Sequence, residues 1–561
     1  MRFITRLLCI VALALPGFGV RAATPPYDIV IRNGHVIDGT GSPWYAADIA
    51  IKDGRIAAIG RLGEIDAKQV IDAHGMVVTP GFIDMLDQSG HTLLVDGHAP
   101  SKIFQGVTTL ITGEGESAAP LNDKILKEEG SRTKPGWRTL GEYFKHLQSQ
   151  GIAVNFGTYV GAATAREMVI GYGDRAPTAD ELKQMQAIVA NAMRAGAFGV
   201  STALQYPPAT YSTTPELIAL AKTAASHGGI YATHMRSEGN GEAAALDEVF
   251  DIARTAHIPV EIFHLKVAGH ENWGSMPKVI AKIDAARAQG LDISADTYAY
   301  TAWGNDLASF IPPWAHAGGN AELLKRLKDP QTRARIEKDM QTPSDAWSND
   351  WLEVPGPHAV EITSVHDPAL KQFEGRRLDE VARSWHEKPI DALLDILIKD
   401  RAATDVAVFG MSQPDVTLAL QQPWVSICDD AAAQAPTGKL GQGHPHPRAY
   451  AAFARIFSKY VRKDHALALP DAIRKMTALP AQRMGLTRRG VIKQGMWADI
   501  DIFDPAKLRA PATFEQPKQL AQGMSWVLVN GVPVIAEGKM TQALPGKVLH
   551  GPGYKKMTDS R

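Results

Sequence analysis

The stretch that most constrains the fold is residues 230–266. It holds two short apolar runs, IYATH and VEIFH, which end in His234 and His264. Between them, EAAALDEVFDIARTAH carries apolar residues at helical spacing. Strand, helix, strand at this length makes the two strands parallel, because a parallel return needs a crossover and an antiparallel one only a tight turn. The two imidazoles then emerge at the same end of one sheet. Either histidine alone reads as a loop residue holding a hydrogen bond. A pair at matched strand ends suits a transition metal, zinc first.

Around this unit the same alternation continues. Strand candidates are GFIDML (81–86), VTTLITG (107–113), AVNFGTYVG (153–161), FGVSTAL (198–204), IYATHMR, VEIFHLK, ISADTYAY (293–300) and WVSICDDA (424–431). Helical stretches such as ADELKQMQAIVANAMRAG separate most of them. Eight strands alternating with helices predict an α/β fold, a (β/α)8 barrel over residues 80–489, with its site at the strands' carboxyl ends. Residues 301–423 are too many for one crossover. They predict an insertion of extra helices, in the place of a lid.

The two flanks have another texture. YDIVIRNGHVIDG and ADIAIKDGRIAAIG near the start, and GVIKQGMWADIDIFD and SWVLVNGVPVIAEGK near the end, alternate apolar and polar residues. Asn33-Gly34, Asp53-Gly54 and Asn530-Gly531 are hairpin signals within them. Neither flank makes a core alone, so residues 23–79 and 490–549 are expected to meet in one small β-sandwich.

The first 22 residues have a basic start at Arg2 and Arg6, an apolar run LLCIVALALPGFGV and a small-residue cleavage pattern at Val20-Arg21-Ala22. They read as a secretory signal peptide, and a periplasmic location is expected. Cys9 lies too early for a lipobox. The remaining cysteine, Cys428, cannot form an internal disulfide, so the core must supply stability in an oxidising compartment. A net charge of −1 gives no case for nucleic acid or a membrane surface as partner. The expected partner is a small molecule.

The strand ends supply the chemistry. They are Leu86-Asp87-Gln88, Gly113-Glu114-Gly115-Glu116, His234, His264 and Asp429-Asp430. Two histidines and one carboxylate leave an open position on zinc, the pattern of a catalytic site. Water held there ionises near neutral pH and becomes a nucleophile, and a separate carboxylate can carry its proton to a leaving nitrogen.

The chain resembles the amidohydrolase superfamily, and within it the D-aminoacylase (N-acyl-D-amino acid deacylase) family. NGHVIDGTGSPWYAADIAIKDGRIAAIG, VVTPGFID, FGVSTALQYPPATYSTTPELIALA, YATHMRSEG, HLK, ADTYAY, HPHPR and RRGVIKQGMWADIDIFDP carry the resemblance in order, over nearly the whole chain after the signal. It implies a metal-dependent hydrolase of a linear amide, an N-acylated D-amino acid. The alternatives are a dipeptidase, a cyclic-amide hydrolase or a degenerate binding protein. The resemblance also marks departures. Where the family's first strand ends in His-x-His, this chain has Leu86 and Gln88, and where its second strand has a ligand cysteine, this chain has Gly115. One zinc is therefore expected, on Glu114, His234 and His264, with Glu116 the alternative carboxylate. The resemblance assigns Asp430 as general base and acid, with Asp429 its rival. It implies Lys266 and Arg448 as grips for the substrate carboxylate, and Tyr206 and Tyr298 or Tyr300 as pocket aromatics. His444 and His446, set between prolines, read as a rigid loop.

Overall fold

Eight parallel strands form the barrel of the computed structural model, which describes residues 26–128, 135–344 and 346–555. The expected signal peptide lies outside the described residues. In chain order the strands are Phe82–Asp87, Val107–Thr112, Asn155–Thr158 with Val160–Gly161, Gly199–Ala203, Ile230–His234, Val260–Ile262, Ile293–Thr297 and Val425–Ile427. The second strand, VTTLIT, is buried throughout, as a strand covered on both faces must be. Each strand pairs in parallel with its neighbour. The third and fourth also join through Phe198 N donating to Thr158 O. The ring closes at the first and eighth strand ends, where Asp430 N donates to Leu86 O at 3.0 Å and Gln88 N to Ala431 O at 3.2 Å.

Helices wrap this core. The helix Ala179–Ala195 begins at a capping box between Thr178 and Glu181 and stops at Gly196, whose φ of 118° suits glycine. Among the described residues no helix is long and apolar enough to cross a membrane.

The insertion differs from the expectation. Besides helices it contains a three-stranded antiparallel sheet, with Asp405–Val408 between Trp303–Asp306 and Val360–Ser364. These strands are four or five residues long, and their partners lie far apart in the chain, so no local period announces them.

The flanks do meet. Val77–Pro80 pairs antiparallel with Ile500–Phe503, joining both chain ends in one nine-stranded sheet. The sheet curls until Ile56 N reaches Met496 O and Ala498 N reaches Gly54 O. It encloses its own apolar cluster, including Ile29, Ile31, Ile49, Ile500, Ile502 and Leu528. Asp53-Gly54 and Asn530-Gly531 are two-residue turns with both residues at positive φ, as the hairpin signal predicts. Asn33-Gly34 is not a turn. It lies within the strand Tyr27–Val36 as a bulge, where the register against Tyr45–Lys52 shifts. A Cβ on Gly34 would meet Val78 Cγ2 at 2.7 Å, so close sheet packing, not chain reversal, requires the glycine.

Candidate metal centre

The second barrel strand ends in a tight bend. Gly113 and Gly115 sit at φ of 98° and 67° on either side of Glu114. Gly115 N donates to Ser201 Oγ at 3.1 Å, and Ser201 Oγ donates to Gly113 O, so the fourth strand pins the bend. A Cβ on Gly115 would lie 2.8 Å from Ala203 N. The position of the family's cysteine therefore has no room for a side chain, and the bend presents Glu114 instead.

Glu114 meets both histidines. Its Oε1 lies 3.1 Å from His234 Nδ1 and 2.9 Å from His264 Nε2, with the two rings nearly perpendicular and their centroids 4.5 Å apart. All three side chains are largely withdrawn from water. Ligand atoms of the three lie within 4.8 Å of one another. Glu116 belongs to the same bend, with its N donating to Glu114 O, but is not in this group. His264 stands just beyond the end of the three-residue sixth strand, at φ 35°, and Asp430 just beyond the eighth, at φ 48°. Both occupy the left-handed region, where residues with a Cβ are strained, and both side chains line the barrel mouth.

The donor set fits a divalent cation: two imidazole nitrogens and a carboxylate oxygen, converging and dry. The electrostatics agree. Burial opposes charge on Glu114, but the two histidines hold its carboxyl well below the ordinary range. Burial also opposes charge on His264 and Lys266 repels it, yet Glu238 and Glu114 raise the ring to about 10.

The surroundings were only partly foreseen. Lys266 Nζ lies 2.7 Å from both oxygens of Glu238 and 2.7 Å from His264 Nδ1. It is thus already paired. Arg448 Nη1 lies 2.8 Å from Asp430 Oδ2, its guanidinium rests 4.8 Å from the centre of the Tyr298 ring, and its Nε has no hydrogen-bond partner among the described residues. His446 explains that placement: its Nδ1 accepts from Arg448 N and its Nε2 donates to Ala302 O, each at 3.0 Å. His444 bonds Phe514 O, so both histidines of HPHPR serve the loop. Tyr206 sits edge-on to His234 at 5.1 Å. Tyr298 lines the cleft, whereas Tyr300 packs on His446 and Phe514 outside it.

Four further residues stand near the centre, of which the sequence marked only Gln88, as a departure from the family and without a role. Gln88 donates to Glu114 Oε2 and faces Asp430. Glu238 is four residues after His234 within YATHMRSEG, a spacing that could have flagged it. Gln205 and Asp350 are the others. All line a cleft of about 790 Å³ at the carboxyl ends of the strands.

Behind the cleft, Asp84, Asp87 and Asp429 also converge. The cation among them is the ammonium of Lys102, 2.6 Å from Asp429 Oδ1, 2.6 Å from Asp87 Oδ2 and 2.7 Å from Ala431 O. Asp429 is committed to this lysine, so Asp430 alone of the pair faces Gln88 and Arg448.

The sequence matches the amidohydrolase family over residues 69–535. It is 34% identical to the D-aminoacylase of Alcaligenes xylosoxydans xylosoxydans over 532 residues, covering 93% of this chain and 98% of that one. The chain belongs to the amidohydrolase family, in its D-aminoacylase branch. A D-aminoacylase crystal structure superposes on this amidohydrolase with a TM-score of 0.78 at 33% identity, covering 94% of this chain and all of that one. The N-acyl-D-glutamate deacylase of Bordetella bronchiseptica, solved with zinc and a phosphonate that mimics the tetrahedral intermediate, superposes with a TM-score of 0.77 at 31% identity, covering 93% of this chain and 99% of that one. Members of this branch are metal-dependent hydrolases of carbon–nitrogen bonds, and this amidohydrolase shares their barrel and its small β domain.

Proposed function

We propose that the protein is an exported N-acyl-D-amino acid deacylase working with one zinc ion, held by Glu114, His234 and His264. The observation that carries this reading is the convergence of Glu114 Oε1 with one nitrogen of each histidine, at 3.1 and 2.9 Å, beside Asp430. The metal, when bound, supplies Lewis acidity toward the scissile carbonyl and acidifies a coordinated water.

The chain's own residues do the rest. Asp430 takes the proton of the attacking water and delivers it to the leaving amine nitrogen. Gln88 donates to its Oδ1, and the Arg448 guanidinium pairs with its Oδ2, setting a positive charge against the carboxylate at the cleft. Arg448, which lines the cleft from its seat on Tyr298, is the cation for the substrate carboxylate. Lys266, neutralised by Glu238, orients His264 and leaves most of that grip to Arg448. Tyr206 and Tyr298 wall the amide, and loss of the His-x-His pair leaves a single metal position.

The test is a panel of N-acyl D- and L-amino acids, dipeptides and cyclic amides, run with zinc-loaded protein. N-acyl-D-amino acids are expected to turn over fastest. Asp430→Asn is expected to keep its metal while activity collapses. Hydrolysis confined to dipeptides or cyclic amides would replace the substrate class, and undiminished turnover by the variant would remove Asp430 from proton transfer.

A further inference from the structure

His234 and His264 turn different nitrogens toward Glu114. His264 uses Nε2, and its Nδ1 faces Glu238 and Lys266. His234 uses Nδ1; its Nε2 lies 3.1 Å from Gln205 Oε1, within hydrogen-bond reach, and 3.7 Å from Glu238 Oε2, beyond it. A neutral imidazole has one protonated nitrogen and one lone pair, so what faces Nε2 decides whether Nδ1 is a ligand.

Gln205 can face His234 with either its carbonyl or its amino group, and its other partner settles which. Its Nε2 donates to both oxygens of Asp350, at 3.1 and 3.2 Å. Asp350 is ringed by donors. Asn305 Nδ2 donates to its Oδ2 at 2.9 Å, and Ser309 Oγ donates to the same oxygen at 2.8 Å. Asn305 is itself fixed, because its Oδ1 accepts from Asp306 N. Burial pushes the Asp350 carboxyl up to about 7 while Ser309 and Gln205 hold it down, and above that pH the carboxylate can only accept. The amino group of Gln205 must therefore point to Asp350, its carbonyl to His234, and the proton of His234 must sit on Nε2.

We propose that Asp350, a residue of the insertion, sets the metal-ligating nitrogen of His234 through Gln205. The insertion thereby acts on metal binding without supplying a ligand. Asp350 and Gln205 are positioning residues. The inference rests on the metal site described above.

The test is zinc affinity, measured on the full-length protein by competition with a chelator. Orienting partners of this kind contribute about 10–100-fold to metal affinity. Asp350→Leu and Gln205→Leu are expected to weaken zinc binding by about that factor. The swap Gln205→Glu with Asp350→Asn restores the pattern, because the new carboxylate accepts from His234 Nε2 and from the new amide. Its affinity is expected within about threefold of wild type, well short of the roughly 10–100-fold loss of the single variants. In zinc-loaded wild type, nitrogen-15 NMR is expected to find the His234 ring protonated at Nε2 and ligating through Nδ1. That spectrum needs no variant to fold. Zinc binding by Asp350→Leu at wild-type strength, a swap as weak as Asp350→Leu, or ligation through Nε2 would each overturn the inference and leave the metal site standing. Wild-type protein that binds no metal would overturn both.

Discussion

Gln88 donates through Nε2 to Glu114 Oε2 at 2.6 Å, tying the end of the first strand to the carboxylate on the second. The same nitrogen lies 3.1 Å from Asp430 Oδ1. One amide therefore bridges the metal-side carboxylate and the proton carrier. Gln88→Leu removes both contacts and no ligand. Turnover is expected to fall about 10–100-fold, the usual effect of removing a partner that orients a ligand. Bound metal, counted by elemental analysis, is expected to persist. Unchanged turnover would deny Gln88 this role.

Restoring the family's cysteine in the second strand is expected to fail. In Gly115→Cys the new Cβ meets Ala203 N at 2.8 Å, at a φ of 67°. Backbone strain of this kind amounts to about 1–3 kcal/mol, and the collision adds to it. Urea unfolding is expected to show a lower midpoint, with no gain of a second metal. A variant as stable as wild type, with a second metal bound, would show that the bend is plastic.

Lys102 joins the barrel's closing seam from inside. It is fully buried with Asp84, Asp87 and Asp429. Burial opposes its charge, but the three aspartates hold its pKa above the ordinary range. Lys102→Met removes the cation and leaves the carboxylates uncompensated, a change expected to destabilise by about 3–5 kcal/mol. Thermal unfolding measures it. A melting temperature at the wild-type value would mean that those carboxyls are protonated and need no cation.

His316, in the insertion, predicts an acid limit. Burial pushes its pKa from 6.5 down to about 4. The folded pKa is depressed, so between pH 6.5 and 4 the unfolded chain binds the extra proton. The contribution to stability is complete above pH 6.5 and is lost as pH falls toward 4, by at most roughly 3 kcal/mol. Urea midpoints at pH 7 and 4.5, compared between wild type and His316→Phe, isolate it. The variant is expected to lose part of the slope. An identical slope would show that His316 charges freely in the fold.

The strand-and-helix alternation was legible because each barrel strand is a short apolar run and each helix has its own period. The paired β flanks were legible from alternation and from Asp53-Gly54 and Asn530-Gly531. Asn33-Gly34 carried the same signal and is a bulge, because the dipeptide permits a turn but the sheet decided to continue. The insertion's small sheet was hidden for a related reason: Trp303 pairs with Val408, and nothing local to either residue says so.

By itself the sequence determined which residues stand at strand ends, His234, His264, the pair Glu114 and Glu116 and the pair Asp429 and Asp430, since alternation along the chain fixes which end of a parallel strand a residue occupies. Only the tertiary structure decided the rest. Which glutamate turns inward, which aspartate Lys102 claims, that Lys266 is already neutralised, and that Asp350 reaches His234 through Gln205 all depend on side chains from distant segments meeting at short range. Hydrogen bonds and ion pairs act over a few ångströms in space, and no spacing along a chain encodes contacts between side chains on different strands and loops, whether 28 positions apart, as Lys266 and Glu238 are, or 327, as Lys102 and Asp429 are.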